Sequence, residues 1–256
     1  MLSKAILTDV TKCIGCLKCV SACKEVHHLD ADVPRVWDKN DGLSAENWTA
    51  IVFKDGRYVR KQCRHCLEPA CASVCPVGAL HKTSIGAVVY DSSKCLGCRY
   101  CMMACPFGIP RYEWDKAVPH VEKCILCYDR IEEGKQPACT EACPTGATIF
   151  GERKELLPLV HARIEANPGK YIDKVWGEHE VGGTSVLYLS DIDLGFLTYP
   201  TVKGDKPLPQ ETVTAMESVP FAFVGMGGAM LGLNWIIRRR MKLGEEKAKK
   251  KDPAHE

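Results

Sequence analysis

Apolar residues fall into two regimes along this chain. Over most of its length they come in short runs broken by glycine, proline and charge, whereas Val219 to Ile237 (VPFAFVGMGGAMLGLNWII) is 19 residues without a charge. Among the short runs, Ala5 to Val10 reads as a strand, and Val52-Phe53 with Tyr58-Val59-Arg60 flank Asp55-Gly56, a strong signal for a tight β-hairpin. Glu152 to Ala166 has helical periodicity through Leu156, Leu157, Leu159, Val160 and Ile164, interrupted by Pro158. Val181 to Leu189 (VGGTSVLYL) then predicts a strand, and this stretch is expected to fold back over what precedes it.

The long apolar run would span about 28 Å as a helix, against a hydrocarbon core of about 30 Å. It predicts one transmembrane helix with Pro220 in its first turn, Trp235 at an interface and Arg238-Arg239-Arg240 as its stop. Basic residues crowd the C-terminal flank (Arg238, Arg239, Arg240, Lys242, Lys247, Lys249, Lys250, Lys251), while Lys203 and Lys206 alone precede the helix nearby. The positive-inside rule therefore puts the tail in the cytoplasm and the body on the periplasmic side. Met1 to Lys12 does not fit a signal peptide, which needs an apolar run of roughly 7–15 residues and a cleavage site. The expected route is export in the folded state with a partner that carries a twin-arginine signal. A tail-anchored protein with a cytoplasmic body is the alternative, at the cost of translocating a strongly basic tail. Gly228 and Gly232, with Gly225 and Ala229 one step around, form a small-residue stripe suited to close contact with another membrane helix.

Cysteine changes the picture of the body. All sixteen fall into four runs of four, Cys13/Cys16/Cys19/Cys23, Cys63/Cys66/Cys71/Cys75, Cys95/Cys98/Cys101/Cys105 and Cys124/Cys127/Cys139/Cys143. The first and third have the C-x2-C-x2-C-x3-C spacing that ligates 4Fe-4S clusters, in which three thiolates on one tight loop bind one cluster and the fourth crosses to another. Pro76, Pro106 and Pro144 follow the last cysteine of the other three runs and turn the chain away, while Lys24 follows the first run. The longer gaps, Cys66 to Cys71 and Cys127 to Cys139, each hold a small loop able to face a partner. Zinc sites have no preference for C-x2-C-x2-C, and a disulfide framework would not repeat C-x3-C-P three times. Haem attachment is excluded because no C-x2-C pair is followed by His. A net charge of +2 gives no polyelectrolyte bias, so nucleic acid is not indicated. Spacing leaves open whether the third run crosses to the second or to the fourth.

The motifs KQCRHCLEPACASVCP (Lys61 to Pro76) and GCRYCMMACP (Gly97 to Pro106) resemble the iron-sulfur subunits of the molybdopterin-oxidoreductase and periplasmic-hydrogenase family. The C-terminal helix, the VGGT segment and IPRY (Ile109 to Tyr112) are most similar to the membrane-anchored electron-transfer subunits of respiratory nickel-iron hydrogenases and formate dehydrogenase-N. The resemblance implies an α+β fold of two nested bacterial-ferredoxin-like dicluster modules, and it implies nested ligand pairing. One cluster would take Cys13, Cys16, Cys19 and Cys143, and a second Cys63, Cys66, Cys71 and Cys105. A third would take Cys75, Cys95, Cys98 and Cys101, and the fourth Cys23, Cys124, Cys127 and Cys139. It further implies a non-catalytic subunit that relays electrons between a catalytic subunit (nickel-iron hydrogenase, or molybdenum or tungsten formate dehydrogenase) and an integral-membrane quinone-reactive or cytochrome b subunit.

The expected organisation is a four-cluster body over 1–150, a connecting segment over 151–218 packed on it, a membrane helix over 219–237 and a basic tail over 238–256. A stand-alone polyferredoxin or redox sensor is the competing reading, and no output module or substrate constellation supports it. Lys12, Lys18, Lys24, Lys61, Arg99 and Lys123 beside the cysteines are expected on solvated surface, and His65 in packing or a surface hydrogen bond. Short apolar runs between turns mean that the clusters replace much of an ordinary core. Anaerobic stripping of iron with a chelator should therefore abolish the cooperative thermal transition, and an apoprotein that keeps it would contradict this.

Overall fold

The computed structural model describes residues 3–29, 33–197 and 204–251, with side chains described through Lys247; Lys203 and the end of the basic tail lie outside these. The chain forms two units, Met1–Pro209 and Gln210–Glu256.

In the first unit, strand β1 (Lys4–Asp9) leads into the first cysteine run and helix α1 (Lys18–His27). Short β2 (Val36–Trp37) pairs in parallel with β3 (Thr49–Lys54), which forms a hairpin with β4 (Arg57–Gln62). The turn between them is the expected one, with Asp55 at φ 48° and Gly56 at φ 76°. The second run carries α2 (Ala70–Ser73), and β5 (Leu80–Lys82) then pairs with β6 (Val88–Tyr90). The third run carries α3 (Tyr100–Ala104), followed by the small ribbon β7 (Arg111–Tyr112) and β8 (Val121–Glu122). The fourth run carries α4 (Tyr128–Glu132) and α5 (Ala138–Glu141), and after it come β9 (Thr148–Glu152), α6 (Arg153–Glu165) and β10 (Val186–Leu189).

This topology nests. The strand before the first run, β1, pairs antiparallel with the strand after the fourth, β9, and the strand before the third run, β6, pairs antiparallel with the strand after the second, β5. The result is an α+β fold of two ferredoxin-like modules, one inside the other. Strand β10 adds to the free edge of β1 in parallel, giving the order β10-β1-β9. Both faces of β1 are covered, which explains the consecutive apolar residues Ala5, Ile6 and Leu7. Ala5 and Leu7 pack with Leu156 and Val160 of α6 and with Leu187 and Leu189, while Ile6 faces Val59, Tyr188 and Cys139.

Three expectations need correction. Helix α6 is not interrupted at Pro158: that residue is exposed, so the Lys154 carbonyl deprived of its amide partner faces water. The strand expected from Val181 starts only at Val186, because Val181, Gly182 and Gly183 have φ of 50°, 83° and 89° and turn the chain. A Cβ on Gly183 would come 2.7 Å from the Glu178 carbonyl, so only glycine fits. Pro220 is not in a first turn. The second unit is one helix, α7 (Gln210–Lys251), whose start lies upstream of the apolar stretch, where Gln210, Glu211, Ala215, Met216 and Glu217 favour helix. Of the described helices, α7 is the one long and apolar enough to cross a membrane, with a mean hydropathy of 1.5 over its best window. Arg239 sits over the Trp235 ring at 5.3 Å.

Leu187 is fully buried between β1 and α6. Leu187→Ala should cost about 2–5 kcal/mol, lowering the apparent Tm of the anaerobic holoprotein by on the order of 5–15 °C. A shift under a few degrees would mean that the β10 edge is not part of the cooperative unit.

Candidate metal-cluster sites

Each cysteine run uses a backbone device that recurs. The residue before the second cysteine has positive φ in all four: Gly15 (69°), His65 (49°), Gly97 (70°) and Leu126 (63°). This left-handed residue folds the loop back so that amides face sulfur, with the Gly97 N–H donating to Cys95 Sγ and the Leu126 N–H to Cys124 Sγ, each at 3.4 Å. Glycine makes this easy in the first and third runs. There is a second reason at Gly15, where a Cβ would lie 2.6 Å from the Tyr58 ring. In the second and fourth runs His65 and Leu126 hold the strained conformation because each is fully buried.

The last cysteine of three runs begins another repeat, C-P-x-G, in which Gly78, Gly108 and Gly146 donate to the carbonyls of Cys75, Cys105 and Cys143 at 3.3, 3.2 and 3.4 Å. The turn makes a nest of amides around the sulfur. Burial disfavours the Cys143 thiolate, but the Thr148 N–H, the Thr145 and Thr148 hydroxyls and the Thr145 N–H outweigh it and bring the thiol down to about 7. At Cys75 the amides of Leu80, Val77, Ala79 and Gly78 likewise overcome burial and lower it. The other described shifts go upward. Burial first and neighbouring thiols second push Cys19 and Cys71 up to about 12 and Cys101 and Cys127 up to about 11, with Cys23, Cys66 and Cys124 also raised. Loading must therefore expel protons from most of these thiols, whereas the nested ones are partly prepared as ligands.

Around these loops the cysteines line cavities. Cys13, Cys16, Cys19 and Cys143 line one, Cys63, Cys66, Cys71 and Cys105 a second, and Cys75, Cys95, Cys98 and Cys101 a third. Cys124, Cys127 and Cys139 are the groups nearest in effect to Cys23. No three His, Cys, Asp or Glu side chains among the described residues converge on a single ion. Four thiols around a cavity fit a compact cluster and not a point ion, which agrees with the donor chemistry of 4Fe-4S ligation. Cys19 shares an apolar cluster with Cys139, Cys124 with Cys63, and Cys71 with Cys101, an order that runs from the loop of exposed Cys16 to the loop of exposed Cys98.

Polar residues among the sets depart in part from expectation. Lys12, Lys18 and Arg99 are exposed as expected, Arg99 lying over the Tyr112 and Trp114 rings. Lys123, in contrast, is buried, its ammonium donating to the carbonyls of Val88 and Cys124. Lys24 is half-buried and donates to the Glu46 carbonyl at 2.8 Å. His65 is fully buried, its Nδ1 accepting from the Val88 N–H at 2.9 Å, and burial pushes it well below the ordinary histidine range, so it is neutral. Sequence reasoning missed His27, whose Nε2 lies 3.3 Å from Cys127 Sγ, and Arg60, which lines the cavity of Cys13, Cys16, Cys19 and Cys143. No sequence signal pointed to Arg60, since in β4 both Val59 and Arg60, on opposite faces, are buried.

These geometries agree with the comparisons to known proteins. A 4Fe-4S dicluster domain family matches residues 54–153. A protein of Nitratidesulfovibrio vulgaris is 42% identical over 95% of this chain and 69% of its own length. Hydrogenase-2 operon protein HybA of Escherichia coli O157:H7 is 34% identical over 94% of this chain and 85% of its own. The iron-sulfur subunit of the nitrate-inducible formate dehydrogenase of Escherichia coli K12 is 39% identical over 72% and 67%. The chain belongs to this family of iron-sulfur electron-transfer subunits of oxidoreductase complexes. It carries four 4Fe-4S clusters on its sixteen cysteines and relays electrons without being the catalytic subunit.

Loop 38–47 screens Cys63 and Cys105, with Leu43 packed against them. It is clamped where Asp41 meets Arg111 at 2.5 Å and Lys61 at 3.1 Å. Burial opposes the Asp41 carboxylate, but the two cations and the Leu43 N–H hold its pKa below the ordinary 3.8. A depressed carboxyl contributes stability that is present above its unfolded value and is lost as pH falls through the folded one. The Tm deficit of Asp41→Asn relative to the native chain should thus be complete at pH 7 and shrink as pH drops below about 4. A deficit independent of pH would remove the clamp from this account.

Proposed function

We propose that the chain is a single-pass, membrane-anchored wire. Electrons from a partner catalytic subunit that oxidises hydrogen or formate pass one at a time along it to an integral-membrane quinone-reactive or cytochrome b subunit. The observation that carries this reading is the order of the cysteine loops, with an exposed cysteine at each end, Cys16 and Cys98. A sensor needs one labile cluster, whereas a row with two exposed ends provides an entry and an exit. The 4Fe-4S groups supply one-electron chemistry. The protein's part is to hold them in a row, to exclude water, and to set their potentials by amide nests and buried charge.

The nested ligand pairing is part of the proposal. The β1–β9 and β5–β6 pairings support it, because each brings the last cysteine of a later or earlier run beside the loop of its partner run. The three cysteine-lined cavities support the same pairing. For the anchor, the charge-free stretch of α7, its arginine stop and its open glycine face (Gly225, Gly228, Gly232) favour a membrane helix packed on a partner helix. The basic flank favours a cytoplasmic tail and a periplasmic cluster body. Both relatives named above as hydrogenase and formate dehydrogenase proteins favour a catalytic partner of one of those two kinds.

Cys139→Ser in the intact complex should cut quinone-coupled turnover at least tenfold while the catalytic partner keeps its activity with an artificial dye. Equal loss of both would count against a wire. Metal analysis of the complex purified anaerobically in mild detergent should find about sixteen irons per chain together with nickel, or with molybdenum or tungsten. Iron alone, with no copurifying subunit, would favour a stand-alone polyferredoxin.

A further inference from the structure

Arg60 is 1% exposed, at the buried end of β4, and it lines the cavity shared by Cys13, Cys16, Cys19 and Cys143. None of its three guanidinium nitrogens has a hydrogen-bond partner of good geometry, and it forms no ion pair with a carboxylate among the described residues. A buried arginine left so is costly unless something negative faces it. An arginine guanidinium keeps its charge even when buried, and the sulfurs of Cys139 and Cys19 are the groups that face it most closely. Its effect also reaches Cys13, Cys23 and Cys127. Cys13 and Cys19 belong to the first set and Cys23, Cys127 and Cys139 to the fourth, so the group stands between two neighbouring sets.

Other cations near the cysteines are differently employed. Two cations line the cavity of Cys63, Cys66, Cys71 and Cys105: Lys123, held by two backbone carbonyls, and buried Arg64, whose guanidinium lies over the Tyr188 ring at 4.0 Å and the Phe107 ring at 5.3 Å. The cavity of Cys75, Cys95, Cys98 and Cys101 is lined by one cation, Arg99, which is exposed and stacked on aromatic rings. Of these, Arg60 is the one whose three guanidinium nitrogens are all buried without a hydrogen-bond partner, whereas Arg64 is stacked on aromatic rings.

We propose that Arg60 is a fixed counter-cation shared by the first and fourth cysteine sets, and that it raises the reduction potentials of the two clusters they hold. Reduction adds one negative charge to a cluster, and a permanent positive charge in a low-dielectric site stabilises the reduced form more than the oxidised one. In each transfer the neighbouring cluster is oxidised by one electron and the Arg60-flanked cluster is reduced by one. No proton moves, because the guanidinium stays charged.

The inference rests on the four-cluster wire read above, and iron content separates the failure of that reading from its own. The test is an anaerobic redox titration followed by electron paramagnetic resonance, on the native complex and on Arg60→Met, Arg60→Gln and Arg60→Lys, each checked for full iron loading. Arg60→Met and Arg60→Gln should shift the reduction equilibrium of two clusters at least tenfold toward the oxidised form, about 59 mV for a one-electron step, and leave two unchanged. Arg60→Lys should restore most of the shift. Fully loaded neutral variants with four native potentials, or with all four moved alike, would overturn the proposal. If the neutral variants fail to load, pulsed resonance on the native complex labelled with 15N-arginine decides. A nitrogen coupling at a reduced cluster that Arg60→Lys abolishes supports the proposal, and the absence of any such coupling overturns it.

Discussion

The constraint on which the structure depends is electrostatic: sulfur ligands that must be anionic are taken out of water. A buried thiol prefers its proton, and here burial raises most of the cysteines. The fold meets the problem with backbone. Positive-φ residues before the second cysteine of each run, and the C-P-x-G turns after the last, point amides at sulfur where side-chain donors would need more space. That accounts for a body made of turns, short helices and two- or three-stranded sheets, since every long element would spend its amides on itself.

Nesting follows from the same need. In the proposed pairing a single run supplies one loop and one outlying cysteine, so two runs interlock to complete two sites. Antiparallel pairing of β1 with β9 and of β5 with β6 is what interlocks them. The apolar packing around β1 then closes the outer module with α6 and β10, elements that carry no cysteine. Charge is placed sparingly among the sites: Lys123 on carbonyls, Asp41 clamping Arg111 and Lys61, and Arg60 facing sulfur.

Much was legible in the residues. The cysteine spacing, the Asp55-Gly56 hairpin, the strand entering the first run and the charge-free helix all follow from local rules: a tight loop, a left-handed turn, a two-residue period, the absence of charge. One local repeat went unread, Asp-x-Thr/Ser-Lys-Cys. Asp9 and Asp91 cap matching turns there, with hydroxyls of Thr11 and Ser93 at 2.7 and 2.6 Å. His65 and Leu126 in a left-handed conformation could not be read, because their strain is sustained by burial and not by residue type.

By itself, then, the sequence determined the ligand set, the kind of cofactor and the anchor, since each depends on residue type at short range. The tertiary structure alone decided what lies between the sites. The buried state of Lys123, the approach of His27 to Cys127 and the position of Arg60 at the cavity of Cys13, Cys16, Cys19 and Cys143 arise from segments far apart in the chain. Charge beside a motif looks the same in sequence whether it meets water or sulfur, and only packing removes the water.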